Sequence, residues 1–586
     1  MSKYLPLFLL LAFPLMLNAQ DENLPVGMTE EEEKMLDWYS FENFSEKGIT
    51  TPPESPVRTM AEWEEIQALC VTWTQYRPTL AEIIRHAKEE VEVIVICNNE
   101  SVVQSQLLNT YDLPDLENIT FLEAPYNSIW MRDYGPNTVY LNGIDSLATV
   151  EWIYNRPRPL DDVVPDAIGE LLDIPVYSTT EEPYALVNTG GNFTADGMGT
   201  GFASKLILDE NEPGNPYNVT PKNEEEIDAI MQEWMGIDRY IKMETLPYDA
   251  IHHIDMHMKL LNEETIMVGE YPAGVADGPQ IEENLQYVLD NFDSPFGTPY
   301  KIVRIQMPPD GGQYPDSWGA DYRTYTNSVF VNGTVLVPVY EEQFDTTALR
   351  IYRENMPGYN VVGIDCNDII ESLGALHCIT RAVGVHDPLR IVHQEIPDQT
   401  DNYEDYTVDA VIQHRSGITS ADVYWTTDPL LGYSSVPMTL TDAATDTWTA
   451  DIPNTLADTE IFYYIEANAE NGKTQVRPLV APAGYFSFEA AFTTSTEEAV
   501  VGMTISDLVP NPAGDVTSFT LQTEENTDFR IYVTDVWGRT VQTLFDGTLS
   551  AGTQRFAADV SRLAAGIYFV RIETEKGEAV KKLSVR

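Results

Sequence analysis

The stretch that decides the fold class of the first half of the chain is VEVIVIC, at residues 91–97. This short run is dominated by β-branched residues, which predicts a strand. A second run of this kind lies at residues 328–339, and stretches with helical periodicity lie at residues 224–234 and 280–289. Because both kinds of segment are mixed over residues 57–387, we expect an α/β domain there.

A different pattern begins after Pro388. Strand-like segments separated by turn residues lie at residues 406–414, 420–426, 447–452 and 460–467. Their spacing and length predict an immunoglobulin-like β-sandwich over residues 388–490. Residues 491–500 form a linker of small residues and threonine. Residues 501–586 form a last β-rich module, with strands near residues 529–533 and 566–573.

The amino terminus has the pattern of a secretory signal peptide over residues 1–19. Lys3 supplies the positive charge, residues 5–17 are apolar, and a small-residue cleavage site ends at Ala19. Residues 20–56 are acidic and contain proline, which predicts a flexible leader or pro-segment without chemistry of its own. No other stretch approaches the roughly 20 apolar residues that a membrane-spanning helix requires, so we expect an exported protein without a transmembrane segment.

The composition excludes several classes of function. Of 586 residues, 34 are Lys or Arg and 93 are Asp or Glu, which gives a formal net charge of −59. A field of this sign repels nucleic acid and anionic membranes and attracts cationic ligands. The hydrophobic content of 43% and the aromatic content of 10% are too high for a disordered acidic chain. We therefore expect folded domains with acidic surfaces and no nucleic-acid partner.

The densest cluster of titratable side chains is HHIDMH, at residues 252–257. If this segment is a strand, His253, Asp255 and His257 project from one face. Such a set could bind zinc or iron, although no H-E-x-x-H spacing occurs in the chain. It could equally consist of ordinary polar residues, or it could carry out acid–base chemistry on a bound cation. The pattern alone leaves these three interpretations open.

A cation that suits two carboxylates is the guanidinium of arginine. Its planar fork of five donors can pair with carboxylates on different sides, through two hydrogen bonds each. Asp255 could be one carboxylate, and Asp133, within WMRDYGP at residues 130–136, could be the other. Trp130 would offer a flat surface for stacking on the cation. Taken singly, Trp130 and Asp133 are also typical packing and turn residues.

Hydrolysis of a guanidinium requires a strong nucleophile, because its central carbon is poorly electrophilic. A thiolate is favoured over a hydroxyl for this task. Among the cysteines, which are Cys70, Cys97, Cys366 and Cys378, the candidate is Cys378. It lies in GALHCIT at residues 374–380, where small residues allow the backbone to approach a ligand closely. Cys70 and Cys97 are interpreted as buried small hydrophobic residues.

Six stretches in order along the chain resemble the bacterial peptidylarginine deiminases of the Porphyromonas type, relatives of the agmatine deiminases. They are residues 61–64 with 72–73, 130–136, 190–192, 253–255, 325–328 and 374–380. The resemblance implies a five-fold pseudosymmetric α/β propeller, the pentein fold, for a catalytic domain at residues 57–387. It also implies that the reaction requires no cofactor or metal.

The same resemblance implies a catalytic set of Asp133, His253, Asp255, Asn327 and Cys378. The two aspartates would clamp the guanidinium, and Cys378 would attack its central carbon. His253 would protonate the departing ammonia and then activate the water that hydrolyses a thiouronium intermediate, while Asn327 would orient or polarise through a hydrogen bond. Because two nearby carboxylates should raise the pKa of Cys378, we expect a reactive thiol chiefly when a guanidinium is bound or His253 is protonated.

The class of substrate is indicated by Arg156 and Arg158, within NRPRP at residues 155–159. Alternating prolines hold them stiffly, and arginine binds carboxylates through two hydrogen bonds. The stretch is similar to the one that holds the α-carboxylate of a C-terminal arginine in the Porphyromonas-type enzymes. We therefore predict a secreted deiminase that converts arginine of peptides or proteins, at the C-terminus above all, to citrulline. The alternatives are a secreted agmatine or small-guanidine deiminase and an inactive surface adhesin-like protein.

The last module, at residues 501–586, resembles the C-terminal β-sandwich sorting domain of Bacteroidetes type IX secretion. The matching stretches are residues 508–512, 532–539, 563–568 and 581–586. This implies the type IX secretion machinery as a partner, and a protein that is secreted or attached to the cell surface after periplasmic transit. Residues 388–490 resemble the immunoglobulin-like domain that follows the catalytic domain in the same enzymes. The acidic loop at residues 209–212 could bind structural calcium.

Overall fold

The structure of the chain is a computed structural model that describes residues 24–36, 38–39, 48–275, 277–315, 320–455, 457–492, 495–496, 503–575 and 577–586. The predicted signal peptide and most of the predicted linker lie outside these residues. Within them, no helix has both the length and the apolar character that a membrane span needs. The chain divides into two compact units. The first holds the described residues within 1–395, 407–452 and 462–486, and the second holds those within 396–406, 453–461 and 487–586.

Five small sheets form in the described part of residues 57–384. In each sheet, one strand has an antiparallel neighbour on one side and a parallel neighbour on the other. The first sheet has the strand order Val57–Thr59, Asn137–Leu141, Ser146–Tyr154 and Val176–Thr179, with Val187–Asn188 also beside Ser146–Tyr154. Three sheets have three strands each: Arg239–Met243, Thr200–Ser204 and Thr194–Ala195 in one; Met258–Asn262, Thr265–Glu270 and Lys301–Gln306 in the next; and Val329–Val331, Thr334–Val339 and Asn360–Asp365 in the third. The fifth sheet has the order Arg381–Gly384, Ile66–Thr72, Glu92–Cys97 and Ile119–Glu123.

Helices join the parallel strands, because a tight turn cannot connect two strands that run in the same direction. These crossover helices are Arg77–Ala87, Glu100–Asn109, Val164–Leu172, Glu224–Met235, Asp277–Asn291 and Glu342–Asn355. Shorter helices lie at Glu30–Met35, Met131–Tyr134, Leu206–Asp209 and Asn367–Ile370. The predicted α/β class is confirmed, and so are the predicted helices at residues 224–234 and 280–289.

The strand Glu92–Cys97 has a parallel neighbour on each side, Ile66–Thr72 and Ile119–Glu123. Its residues 93–97 are fully buried. Parallel sheets are covered on both faces, so their strands carry continuous apolar runs rather than alternating ones. This explains why the stretch at residues 91–97 is apolar at nearly every position.

The run at residues 328–339 is β-structure, as expected, and forms a hairpin of two strands, because Asn332 adopts a positive φ of 46° and, with Gly333, forms the turn between them. One sequence expectation about local structure is wrong. The segment at residues 252–257 is not a strand: His252 has a φ of 58°, and Ile254–Met256 is a 3-10 turn. The alternation that would place His253, Asp255 and His257 on one face therefore does not apply.

The first unit also contains most of the β-structure at residues 390–477. One sheet has the order Arg390–Val392, Tyr406–Gln413, Thr447–Ile452 and Thr439–Asp442. In the other, Thr459–Ala469 lies between Thr474–Arg477 and Ile418–Thr426, and Ser434–Pro437 follows. These strands agree with the segments predicted from residues 406 to 467.

The second unit consists of β-structure. Gln399–Thr400 pairs with Phe486–Ala491. One sheet has the order Ser495–Thr496, Gly577–Val585, Gly566–Thr574, Thr527–Asp535 and Thr540–Leu549, and the other has the order Met503–Ile505, Val516–Thr523 and Gly552–Asp559. Buried residues from both sheets, including Phe519, Leu521, Ile531 and Val570, form one hydrophobic core. The strands predicted near residues 529–533 and 566–573 are present.

Candidate active site

Cys378 lies in a 3-10 turn, His377–Ile379, that immediately precedes the strand Arg381–Gly384. The side chain is fully buried. The amide of Asn327 holds the turn: its Oδ1 accepts a hydrogen bond of 2.9 Å from the backbone N–H of His377, and its Nδ2 lies 3.2 Å from Sγ of Cys378. Sγ also lies 3.7 Å from Oδ2 of Asp255. The structure thus brings the predicted thiol, amide and one carboxylate into direct contact.

His253 and Asp133 form the neighbouring pair. Nδ1 of His253 lies 3.7 Å from Oδ1 of Asp133, which accepts a 3.1 Å hydrogen bond from the backbone of Gly191. A Cβ on Gly191 would lie only 2.4 Å from Nδ1 of His253, so only glycine allows this approach. Both ring nitrogens of His253 and Oδ1 of Asp255 are buried and have no hydrogen-bond partner among the described residues. These polar atoms are free to bind a substrate.

A second histidine, His377, connects the site to a glutamate that the sequence analysis did not select. Its Nδ1 lies 2.7 Å from Oδ2 of Asp255, and its Nε2 lies 2.5 Å from Oε1 of Glu62. Although burial raises the pKa of Asp255 and of Glu62, their cationic neighbours, His377 among them, outweigh it and lower both pKa values. The ring of His377 thus joins two ionised carboxylates.

Glu62 itself is held by cations. It lies 2.7 Å from Nζ of Lys259 and 3.2 Å from Nη1 of Arg132. Glu62 and His377 belong to the stretches that carry the family resemblance, at residues 61–64 and 374–380. Neither was assigned a role, because their contact joins residues 315 positions apart. No local signal in the sequence indicates it.

The electrostatics of the thiol match the sequence expectation. Burial raises the pKa of Cys378 well above its ordinary value, and the charges of Asp255 and Asp133 raise it further, against a smaller lowering by the hydrogen bond from Asn327. Burial also lowers the pKa of His253, although Asp133 and Asp255 oppose this effect. Without a nearby cation, the neutral thiol is therefore favoured.

The other cysteines are buried free thiols. Burial raises the pKa of Cys70 to about 12 and that of Cys97 to about 11. Cys366 is likewise buried, and its pKa is raised well above the ordinary value, mainly by burial. Thiols of this kind stay protonated and unreactive unless a bound cation offsets the effect of burial, which agrees with the interpretation of Cys70 and Cys97 as small hydrophobic residues.

The zinc or iron interpretation of residues 252–257 and the calcium site considered at residues 209–212 find no support in the described residues. Among the residues that the structure describes, no group of three or more His, Cys, Asp or Glu side chains could hold a metal ion. In the acidic loop at residues 209–212, Glu210 instead accepts hydrogen bonds from Nδ2 of Asn155, at 2.6 Å, and from the hydroxyl of Tyr217, at 3.1 Å. His257 is buried, and neither of its ring nitrogens is hydrogen-bonded within the described part of the chain.

Trp130, Arg156 and Arg158 are all buried, and all three contact the leader. The indole N–H of Trp130 donates to the carbonyl of Leu24 at 2.8 Å, and Nε of Arg156 donates to the carbonyl of Val26, also at 2.8 Å. Nε of Arg158 lies 2.7 Å from Oε1 of Glu32. The leader, which the sequence analysis considered to be without chemistry, therefore occupies the residues predicted to bind substrate.

Comparison with known proteins identifies the family of this chain. Residues 58–383, more than half of the chain, match the family described as Porphyromonas-type peptidyl-arginine deiminase. The chain belongs to this family. It is therefore a deiminase, a hydrolase that acts on C–N bonds of guanidino groups, and the deiminases of this family work without a cofactor.

Relatives of this deiminase carry a related name. A protein of Vibrio parahaemolyticus named "Putative agmatine deiminase" is 24% identical over 378 residues, covering 57% of this chain and 98% of its own length. A Legionella pneumophila protein of the same name is 24% identical over 359 residues, covering 57% of this chain and 96% of its own. The X-ray structure of another protein of that name has a TM-score of 0.50 at 18% identity, covering 58% of this chain and 99% of its own, which indicates a shared fold.

The end of the deiminase chain matches a second family. Residues 507–586 match the secretion system C-terminal sorting domain. This domain directs Bacteroidetes proteins through type IX secretion to the cell surface or the extracellular space. The predicted export route is therefore confirmed.

Proposed function

We propose that this deiminase converts arginine side chains of extracellular peptides to citrulline, with a preference for C-terminal arginine, through a covalent adduct on Cys378. The observation that carries the proposal is the contact set of the thiol. Sγ lies 3.7 Å from Oδ2 of Asp255 and 3.2 Å from Nδ2 of Asn327, and the charge of Asp133 is close enough to act on it. A thiol beside two carboxylates suits a cationic electrophile.

The chemistry follows from the charges. Asp133 and Asp255 bind the guanidinium, whose positive charge favours the thiolate that the empty site disfavours, and the proton of the Cys378 thiol passes to His253. Sulfur adds to the central carbon, and the tetrahedral adduct expels one terminal nitrogen as ammonia, with a proton from His253. Neutral His253 then takes a proton from water, whose oxygen adds to the thiouronium carbon. Collapse breaks the C–S bond and leaves the ureido group of citrulline, so that one water is consumed and one ammonia is released.

Arg156 and Arg158 support a substrate with a carboxylate. Arg158 binds the carboxylate of Glu32 through two nitrogens, at 2.7 and 3.1 Å. A free α-carboxylate has the same shape and charge as this side chain. Export through type IX secretion adds to this proposal, since it brings the enzyme to peptides outside the cell.

A second candidate is deimination of agmatine or another small guanidine. The names of the Vibrio and Legionella relatives favour it, and the contacts of Cys378 suit any guanidinium. Agmatine has no carboxylate, so Arg156 and Arg158 would have no role in binding it. Membership of the deiminase family argues against the third alternative, an inactive surface adhesin-like protein.

We further infer that the five sheets at residues 57–384 are arranged as the five-fold pseudosymmetric α/β propeller. The common pattern of one antiparallel and one parallel neighbour in each sheet supports this arrangement. The region at residues 388–490 is proposed to be an immunoglobulin-like domain, on the basis of its strand pattern.

The test is product analysis with four substrates side by side. A peptide ending in arginine, the same peptide with a blocked carboxyl group, free arginine and agmatine are incubated with the enzyme, and citrulline or the corresponding ureido product is measured together with ammonia. We expect the carboxyl-terminal peptide to have the highest kcat/KM. Fastest turnover of agmatine would favour the second candidate, and no ammonia from any substrate would overturn the proposal.

A further inference from the structure

The segment at residues 24–36, called here the leader segment, binds across the residues that the proposed function assigns to substrate. It consists of an extended stretch followed by the short helix Glu30–Met35. Its extended part contacts Trp130 and Arg156, and its helix contacts Arg158. Met28, Met35 and Leu36 pack on a small apolar cluster that includes Val187 and Tyr217.

The helical end of the leader segment presents a carboxylate to Arg158. Glu32 accepts hydrogen bonds of 2.7 Å from Nε and 3.1 Å from Nη2 of Arg158. The remaining donors are also used: Nη2 donates to the carbonyls of Pro25 and Gly27, and Nη1 lies 3.3 Å from the hydroxyl of Tyr154. Each of the three guanidinium nitrogens of Arg158 is therefore already engaged by another group within the described residues.

This contact is specific to one glutamate. The helix begins with four consecutive glutamates at residues 30–33, and of these only Glu32 is buried, while the other three are exposed. Glu32 also accepts a hydrogen bond of 2.8 Å from the backbone N–H of Thr29, which starts the helix. Burial raises the pKa of Glu32, but Arg158 and Thr29 outweigh burial and lower it. The carboxylate is therefore ionised and paired, as an α-carboxylate would be.

The extended end of the leader segment reaches the loop that carries the thiol. The carbonyl of Leu24 accepts from the indole of Trp130, whose ring lies against Gly374, four residues before Cys378. The backbone N–H of Val26 donates to the carbonyl of Ser372 at 3.2 Å, and Val26 is fully buried. The segment thus connects the thiol loop to both arginines.

We propose that the leader segment is an intramolecular ligand of the substrate groove, with Glu32 at the position of the substrate's α-carboxylate. It keeps the enzyme from binding peptides that end in arginine until the segment is released or removed. The proposal rests on the proposed function, because it takes Arg156 and Arg158 as the carboxylate-binding pair. A peptide with a free carboxylate and the leader segment then compete for the same donors.

The test measures binding, so it does not depend on turnover. In the full chain carrying Cys378→Ser, the dissociation constant of acetyl-Gly-Arg is measured by calorimetry, with and without Glu32→Gln. Glutamine keeps the size of the side chain and its contact with Thr29 but has no charge for Arg158. We expect Glu32→Gln to tighten binding at least tenfold, and the matched change Glu33→Gln, in an exposed glutamate of the same helix, to have no effect.

Two further measurements separate the possible failures. A synthetic peptide of residues 24–36 should displace acetyl-Gly-Arg from the Glu32→Gln chain, and the same peptide with glutamine at position 32 should do so at least tenfold less well. An unchanged dissociation constant in the Glu32→Gln chain, with no competition in trans, overturns the proposal. If binding tightens as expected but the Glu32→Gln enzyme with its thiol intact releases no ammonia from any guanidine, then the proposed function fails while the leader proposal holds.

Discussion

Replacing Gly374 with alanine should damage catalysis far more than folding. A Cβ at this position would lie 2.4 Å from Cζ3 of Trp130 and 3.1 Å from Cβ of Cys378. Carbon atoms in contact prefer separations of about 3.5–4.0 Å. The indole ring, or the turn that carries the thiol, must therefore move by about 1 Å. Both lie in the packed interior, so the shift is passed on to the catalytic groups.

The magnitude follows from that displacement. Misplacing catalytic groups by about 1 Å costs about 100-fold in rate, which corresponds to about 3 kcal/mol of transition-state stabilisation. An added methyl group in a packed interior costs about 1–3 kcal/mol of folding free energy. We therefore expect Gly374→Ala to lose about 100-fold in kcat/KM and to remain folded at room temperature.

The assay compares kcat/KM for whichever guanidine the wild-type enzyme converts fastest, together with urea unfolding of both proteins. Gly278→Ala is the matched control, since the nearest atom to its added Cβ would be Cβ of Tyr271, at an ordinary 3.5 Å. This control should keep wild-type activity. A folded Gly374→Ala enzyme with unchanged kcat/KM would refute the reasoning, because the thiol loop would then tolerate the methyl group without moving.

Three other changes test the charges around the site. Cys378→Ser should abolish ureido product and leave the unfolding transition in place; residual turnover above about one part in a thousand would exclude Cys378 as the nucleophile. Glu62→Gln should lower kcat about tenfold, because the ring of His377, which contacts Asp255, loses the charged partner that holds it in place; an unchanged kcat contradicts this role. Burial is the main cause that raises the pKa of Asp249 to about 7 in the folded protein. Asp249 therefore does not reduce the free energy of unfolding below about pH 4, where the carboxyl is protonated in both the folded and the unfolded chain. Stability is lost as the pH rises through 7, because the unfolded chain ionises this carboxyl more easily. Asp249→Asn should accordingly gain stability over wild type by about 3 kcal/mol between pH 5 and pH 8 in urea unfolding, whereas a pH-independent difference would argue against the raised pKa.

Several features could be read from local sequence. The apolar run at residues 91–97 indicates a buried strand, because β-branched residues favour the extended backbone before any contact with distant parts of the chain is known. The strand segments after residue 388 and the helices at residues 224–234 and 280–289 follow from periodicity in the same way. The hairpin at Asn332-Gly333 could also have been predicted, since this dipeptide is a strong signal for a two-residue turn.

The site was identified from motifs rather than from periodicity. The assumption that residues 252–257 form a strand is wrong, yet His253 and Asp255 still lie beside Asp133 and Cys378. Their positions come from a 3-10 turn whose start requires a left-handed backbone at His252. Single-residue conformations of this kind depend on surrounding packing, which no alternation of polar and apolar residues encodes.

The amino-acid sequence alone indicates the type of chemistry, because a thiol, two carboxylates, a histidine and an amide occur in short motifs that follow one another along the chain in the order typical of the deiminase family. It also indicates the α/β class and the export signal at residues 507–586. The contacts that tune and cover the site are a different matter. Glu62 meets His377 across 315 residues, and Glu32 meets Arg158 across 126. Such pairs form only when distant apolar segments are buried together. The burial of apolar surface in the core brings the paired residues into contact, and no local sequence pattern records that contact.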